Sequence, residues 1–187
     1  MIFVGIDPGK KGGYAVIDSS CRTVIDSQAA DCPKNGYTYG KGYRGIHAYN
    51  HAAMVFLFQD LMSGGGYERD EIMVILEQQR THPKEGRVSA FTTGYGFGLW
   101  SGILSGMGLK WRTVTASTWT KEVLRDAPGT GKSRSLAFVS RMFPDFAREG
   151  LTLERRRSGH DGLSDAVCLA LYGATHYSSH SPSRLSK

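Results

Sequence analysis

Cysteine is scarce in this 187-residue sequence, with only Cys21, Cys32 and Cys168. The number is odd, the spacing is wide, and there is no CxxC pair or Cys/His cluster. Neither a disulfide framework nor a zinc site is expected, and the thiols read as reduced, in a cytosolic setting. Long hydrophobic runs are missing too: none approaches the roughly 18 residues of a membrane span. The first apolar run, IFVGI, breaks at Asp7, so no signal peptide is expected. Met1 lies directly against that run and leaves no room for a transit peptide, although a mature organellar form with its leader trimmed is compatible with the same sequence.

Acidic residues are the rarer charge, 17 against 23 Lys and Arg, for a net charge of +6. A basic surface suits a polyanionic partner, nucleic acid among them, without requiring one. A hydrophobic share of 40% against 21% charged residues marks a globular chain. The length fits one domain that buries a core without staples. No internal repeat occurs. A nucleotide-binding loop is incomplete: APGTGKS at 127–133 lacks the first glycine of a Walker A motif, having Asp126 there, and it follows TKEVLRD, which reads as a helix rather than a strand. No nucleotide cofactor is expected, and the loop reads better as a flexible segment with Lys132 available to phosphate.

Along the chain, IFVGID (2–7), YAVID (14–18) and RTVIDSQ (22–28) read as three strands joined by tight turns, an antiparallel meander. Residues 32–45 read as a loop. Residues 47–62 carry a helical period through Ala53, Phe56, Leu57 and Leu61, and SGGG stops it. EIMVILEQQ (71–79) is a fourth strand, 88–107 a glycine-rich helix, and LKWRTVT (109–115) a fifth strand. Ser117-Thr118 and Ser133 mark the starts of two further helices, the second ended by FPDF at 143–146. A basic loop, RRRSG, precedes a last helix over 160–175. The domain is expected to span 1–176, with 177–187 a mobile tail. Three antiparallel strands followed by parallel crossovers predict a mixed five-stranded α/β sheet with helices on both faces.

Three acidic residues stand where burial argues against them. Asp7 closes strand 1, Glu77 closes strand 4 after Val74-Ile75-Leu76, and Asp165 sits in a last helix that is apolar nearly all round. A buried carboxylate costs several kcal/mol without a compensating charge. Asp161, four residues before Asp165, shares its helical face, and two like charges there call for a cation. Asp7, Glu77, Asp161 and Asp165 together suit an oxygen cage for Mg²⁺ or Mn²⁺. Two such ions ~3.5–4 Å apart can activate water and stabilise the leaving oxygen of a phosphodiester. Simpler roles stand beside this one. Asp7-Pro8-Gly9 is a turn sequence, Asp161 and Asp165 suit a helix N-terminus, and Glu77 has Arg80 nearby.

GIDPGKKGGYAVI resembles the first-strand motif of RuvC-type Holliday junction resolvases, ILEQQ their second acidic motif, and HDGLSDAVCLALYG their C-terminal acidic helix. The likeness covers roughly residues 2–175. It looks nearest to phage-type and chloroplast members, through TTGYGFGLWSGIL, the Trp119-Thr120-Lys121 segment and the helix at 132–144. The resemblance implies an RNase H-like fold and metal-dependent, structure-selective nicking of four-way DNA junctions by a homodimer, leaving a 5′-phosphate and a 3′-hydroxyl. It implies a cytoplasmic setting in a bacterial or phage-infected cell. Asp7, Glu77 and Asp165 carry over as catalytic metal ligands for two ions. For the fourth place, spacing favours Asp161, with His160 as an alternative ligand or an auxiliary group at the leaving oxygen. Lys10, Lys11, Arg80, Lys84, Arg87, Lys132, Arg134, Arg155, Arg156 and Arg157 lie beside the acidic motifs and are candidate phosphate contacts. Tyr37, Tyr39, Tyr43, Phe91 and Tyr95 can stack on unpaired bases or simply pack. The glycines at 94, 98, 102 and 106 suit close packing, either against a twin helix, as in the family, or against the chain's own sheet. An RNase H or flap nuclease of the same fold, and a non-catalytic junction-binding protein, are the rival readings.

Overall fold

The computed structural model describes residues 1–9, 12–20, 23–29, 49, 51–81, 83–131, 133–151 and 161–178. Lys10, Lys11, Tyr37, Tyr39, Tyr43, Lys132, Arg155, Arg156, Arg157 and His160 lie outside these residues, as do Cys21 and Cys32. Strands β1 (Ile2–Asp7), β2 (Gly13–Asp18), β3 (Val24–Ala29), β4 (Ile72–Glu77) and β5 (Lys110–Val114) form one sheet in the order β3-β2-β1-β4-β5. The β1–β2 and β2–β3 pairs are antiparallel; β1–β4 and β4–β5 are parallel. This is the mixed sheet expected from the sequence. β1 and β4 lie centrally and are buried on both faces, so they read as unbroken apolar runs.

Helices α1 (His51–Ser63) and α2 (Arg87–Gly106) cover one face. Helices α3 (Ala116–Val123), α4 (Ser133–Met142) and α6 (Asp161–Tyr177) cover the other, and α5 (Pro144–Phe146) is a single turn. Strand alternation divides the core accordingly. Ile2, Val4, Ile6, Val74 and Leu76 pack with Leu57, Phe58, Trp100 and Leu104. Phe3, Met73 and Ile75 pack with Trp119, Val139, Ala166, Leu169 and Ala170. Among the described residues, no helix is long and apolar enough to cross a membrane.

Several boundaries differ from the sequence reading for local reasons. α3 is capped by Thr115, whose Oγ1 accepts from the Thr118 amide at 3.2 Å, so Ser117 and Thr118 form the first turn instead of preceding it. Residues Arg69–Glu71 form a 3-10 turn that delays β4 to Ile72. α6 runs two residues further than expected, to Tyr177. The glycines of α2 also behave differently from one possibility raised above. Among the described residues, a Cβ on Gly94, Gly98, Gly102 or Gly106 would meet nothing within 4 Å, so none of them is needed for packing on the chain's own sheet. The tight glycine of that helix is Gly96, where a Cβ would fall 2.1 Å from Tyr49 Oη and 2.7 Å from the Pro8 carbonyl oxygen.

Candidate active site at the ends of two central strands

Register and alternation bring the acidic residues together. Ile6 pairs with Leu76 in the parallel β1–β4 ladder, so Asp7 and Glu77 leave the same edge of the sheet side by side. Both follow the odd positions that face α6. On α6, residues 162–164 and 166–171 are buried, whereas Asp161 and Asp165 are half-exposed. The helix begins at Asp161, which places that carboxylate in the first turn on the face shared with Asp165. The helix dipole favours it there as well.

Each strand-end carboxylate has local support. The Gly9 amide donates to Asp7 Oδ1 at 2.9 Å, so Asp7 does form the turn that Asp-Pro-Gly suggests. Tyr49 Oη donates to the Pro8 carbonyl at 2.9 Å and ties that turn to the α1–α2 face. Gly12 closes the hairpin through its amide and the Gly9 carbonyl, and a Cβ there would lie 2.0 Å from the Asp7 carbonyl oxygen. Glu77 is held by Trp119 and Gln79, not by Arg80, which is exposed. Trp119 Nε1 donates to Oε1 and Gln79 Nε2 to Oε2, both at 3.1 Å. A cavity of about 320 Å³ beside them is lined by Glu77, Trp119, Thr120, Arg134, Ser135 and Asp165. The Arg134 guanidinium donates to the Leu124 carbonyl at its rim.

The electrostatics report the same convergence. Asp7 is pushed up to about 7 from an ordinary 3.8 by burial first and by the charge of Glu77 next. The Gly9 hydrogen bond opposes the rise, while Asp165 and Asp161 add to it. Glu77 is raised by burial, against the pull of its two donors. An acid held above its unfolded value binds its proton more tightly when folded. The resulting stability is complete below that unfolded value and is lost as pH climbs to about 7. Without divalent ions, melting midpoints should therefore fall from about pH 5 to about pH 8, and Mg²⁺ should restore more at the upper end. Midpoints that stay level or climb over that range would show that these carboxylates do not burden one another.

Four carboxylates and no sulfur form a donor set suited to a hard divalent cation. Among the described residues, however, no group of three or more His, Cys, Asp or Glu side chains is drawn tightly enough together to hold an ion. The carboxylates share one electrostatic neighbourhood without forming a closed cage. Of the basic candidates described, Arg80, Lys84 and Arg87 are exposed on the segment from β4 into α2, and Arg134 is half-buried at the cavity. The sequence reading did not single out Gly96, Tyr49 or Gln79. It named Trp119 only as part of a motif; its contact with Glu77 spans 42 residues and leaves no local signal.

No protein-family model matches the chain, and no curated protein sequence matches it. Solved structures do. The chain is similar to Thermus thermophilus RuvC in complex with a Holliday junction substrate, with a TM-score of 0.59 and 17% identity over 93% of each chain. A second Thermus thermophilus RuvC structure gives 0.57 at the same identity and coverage. At that identity the likeness establishes the architecture: a RuvC-like, RNase H-like mixed sheet.

Proposed function

We propose that this protein is a metal-dependent, structure-selective DNA endonuclease that resolves four-way junctions by paired symmetric nicks. The observation that carries this reading is that Glu77, Asp165 and Asp161 all act electrostatically on Asp7 at one edge of a RuvC-like sheet. Asp7, Glu77, Asp161 and Asp165 would hold two Mg²⁺ or Mn²⁺ ions, which supply Lewis-acid stabilisation of the phosphate and a more acidic water. Asp7 occupies the centre of the set, since each of the other three carboxylates acts on it. Arg80, Lys84, Arg87 and Arg134 would anchor phosphates around it without reading sequence. Lys10, Lys11, Lys132 and Arg155–Arg157 join them on sequence position, with His160 as an auxiliary group. The shared Trp119-Thr120-Lys121 segment and glycine helix support the phage-type and chloroplast branch.

Phe91 is 61% exposed and stacks on Tyr95 with ring centroids 6.1 Å apart. Tyr95 also meets His51 through a 3.0 Å hydrogen bond and packs near Tyr49, whose hydroxyl holds Pro8. Tyr95 is thus tied into the scaffold, and Phe91 offers the open ring for an unpaired base.

The open glycine ridge of α2 supports a homodimer. Gly94, Gly98 and Gly102 recur every four residues on an exposed stripe, and glycine there costs helix stability. Gly98→Ala combined with Gly102→Ala should raise monomer stability by roughly 0.5–1 kcal/mol per site, yet weaken self-association in sedimentation. A dimer that survives the pair unchanged would remove this face from the interface.

The deciding experiment offers the protein a labelled four-way junction, a duplex, a flap and an RNA–DNA hybrid with Mg²⁺. Paired symmetric nicks in the junction alone are expected. Cleavage of the hybrid alone would make it an RNase H, and binding without cleavage would make it an architectural protein.

A further inference from the structure

Both oxygens of Glu77 accept from side-chain donors. Trp119, only 3% exposed, brings its indole N–H across from α3, and Gln79 folds back from the exit of β4. α3 is itself fixed at its first turn. Thr115 Oγ1 accepts from the Thr118 amide and shares hydrogen bonds with the hydroxyls of Ser117 and Thr118, at 2.9 and 2.8 Å. The strand ends are joined as well, since the Gln78 amide donates to the Val114 carbonyl at 2.8 Å. From Glu77 the path runs to Gln78, across to Val114, through the Thr115 cap into α3, and back through Trp119 to Glu77. That closed circuit leaves the carboxylate little freedom to turn.

We propose that Trp119, seconded by Gln79, is a positioning residue that fixes the Glu77 carboxylate for cation binding. This rests on the reading of Glu77 as a cation ligand. A buried indole N–H needs some acceptor in any core, so the alternative is that Glu77 merely satisfies Trp119. The two roles part experimentally. A core role makes loss of the N–H a matter of stability. A positioning role makes it a matter of affinity, and outer partners of a ligand typically change metal affinity 10–100-fold.

The test measures Mn²⁺ binding to the full chain, without DNA, by electron paramagnetic resonance. Trp119→Phe keeps a ring in the core and removes the donor, and Gln79→Leu removes the other donor from a half-exposed place that tolerates change. Val139→Ala, fully buried in the same core and outside the lining of the cavity beside Glu77, controls for lost stability. Trp119→Phe and Gln79→Leu should each weaken Mn²⁺ binding roughly 10–100-fold, while Val139→Ala binds as the wild type does. Should Trp119→Phe fail to fold, Gln79→Leu alone decides. Wild-type affinity in the donor variants would overturn the positioning role and leave the nuclease reading standing. A wild-type protein that binds no Mn²⁺ would remove the cation reading and this proposal together.

Discussion

Gly5→Ala should cost the fold about 3 kcal/mol or more, read as a shift in the urea midpoint. Gly5 lies in the middle of β1, where glycine weakens a strand and needs a reason. The reason is α6. A Cβ at Gly5 would stand 2.0 Å from the Ala166 carbonyl oxygen, 2.4 Å from the Ala170 amide nitrogen and 2.9 Å from Leu169 Cβ. Two of these are backbone atoms of a buried helix, so no side chain can swing aside. The helix must lift off the sheet, and Asp161 and Asp165 move with it away from Asp7 and Glu77. If the site cuts DNA as proposed, cleavage and stability should therefore fall together. Alanine at Gly94, with open space around it, is the matched control. A Gly5→Ala protein as stable as the wild type would mean that α6 does not cross β1 at this residue.

Asp7→Asn should separate the properties that Gly5→Ala loses together. Under the nuclease reading, junction cleavage falls on the order of 10³-fold or more, because the central ligand loses its charge. Asparagine keeps the acceptor for the Gly9 amide, so the turn survives. Removing one of four like charges should also raise the melting midpoint near about pH 8 in the absence of divalent ions. On the same reading, junction binding, measured by gel shift, should hold or tighten as a negative charge leaves the edge proposed to meet DNA. Retained cleavage would take Asp7 out of the chemistry, and an unchanged midpoint would contradict its crowding by Glu77, Asp165 and Asp161.

How far the sequence revealed this arrangement depended on the range of the cause. Asp7 and Glu77 stood out because each ends an apolar run of strand length, and the pairing order followed from short turns among the first three strands and longer crossovers after them. Asp161 and Asp165 stood out because α6 is otherwise apolar on every side. The Thr115 cap was misplaced because hydroxyls at 115, 117 and 118 all qualify, and only the strand's end at Val114 chooses among them. Glycines were the hardest to read. The regular stripe at 94, 98, 102 and 106 drew attention, yet side chains are forbidden elsewhere: at Gly12 by the hairpin itself, and at Gly5 and Gly96 by distant groups. Their requirement is imposed by α6 and Tyr49, far along the chain, and a helix or strand containing them looks ordinary in isolation. The Trp119–Glu77 hydrogen bond is hidden for the same reason.

The place of α6 in the chain has a consequence for biosynthesis. Two of the four carboxylates are made after strands β1–β5, on the helix that also seals the β1 face. A polypeptide still on the ribosome, or one cut short by a premature stop before that helix, has Asp7 and Glu77 but neither their counterparts nor a finished core. If the site cuts DNA as proposed, copies without this helix do not cut, because hydrolysis waits for α6 to dock.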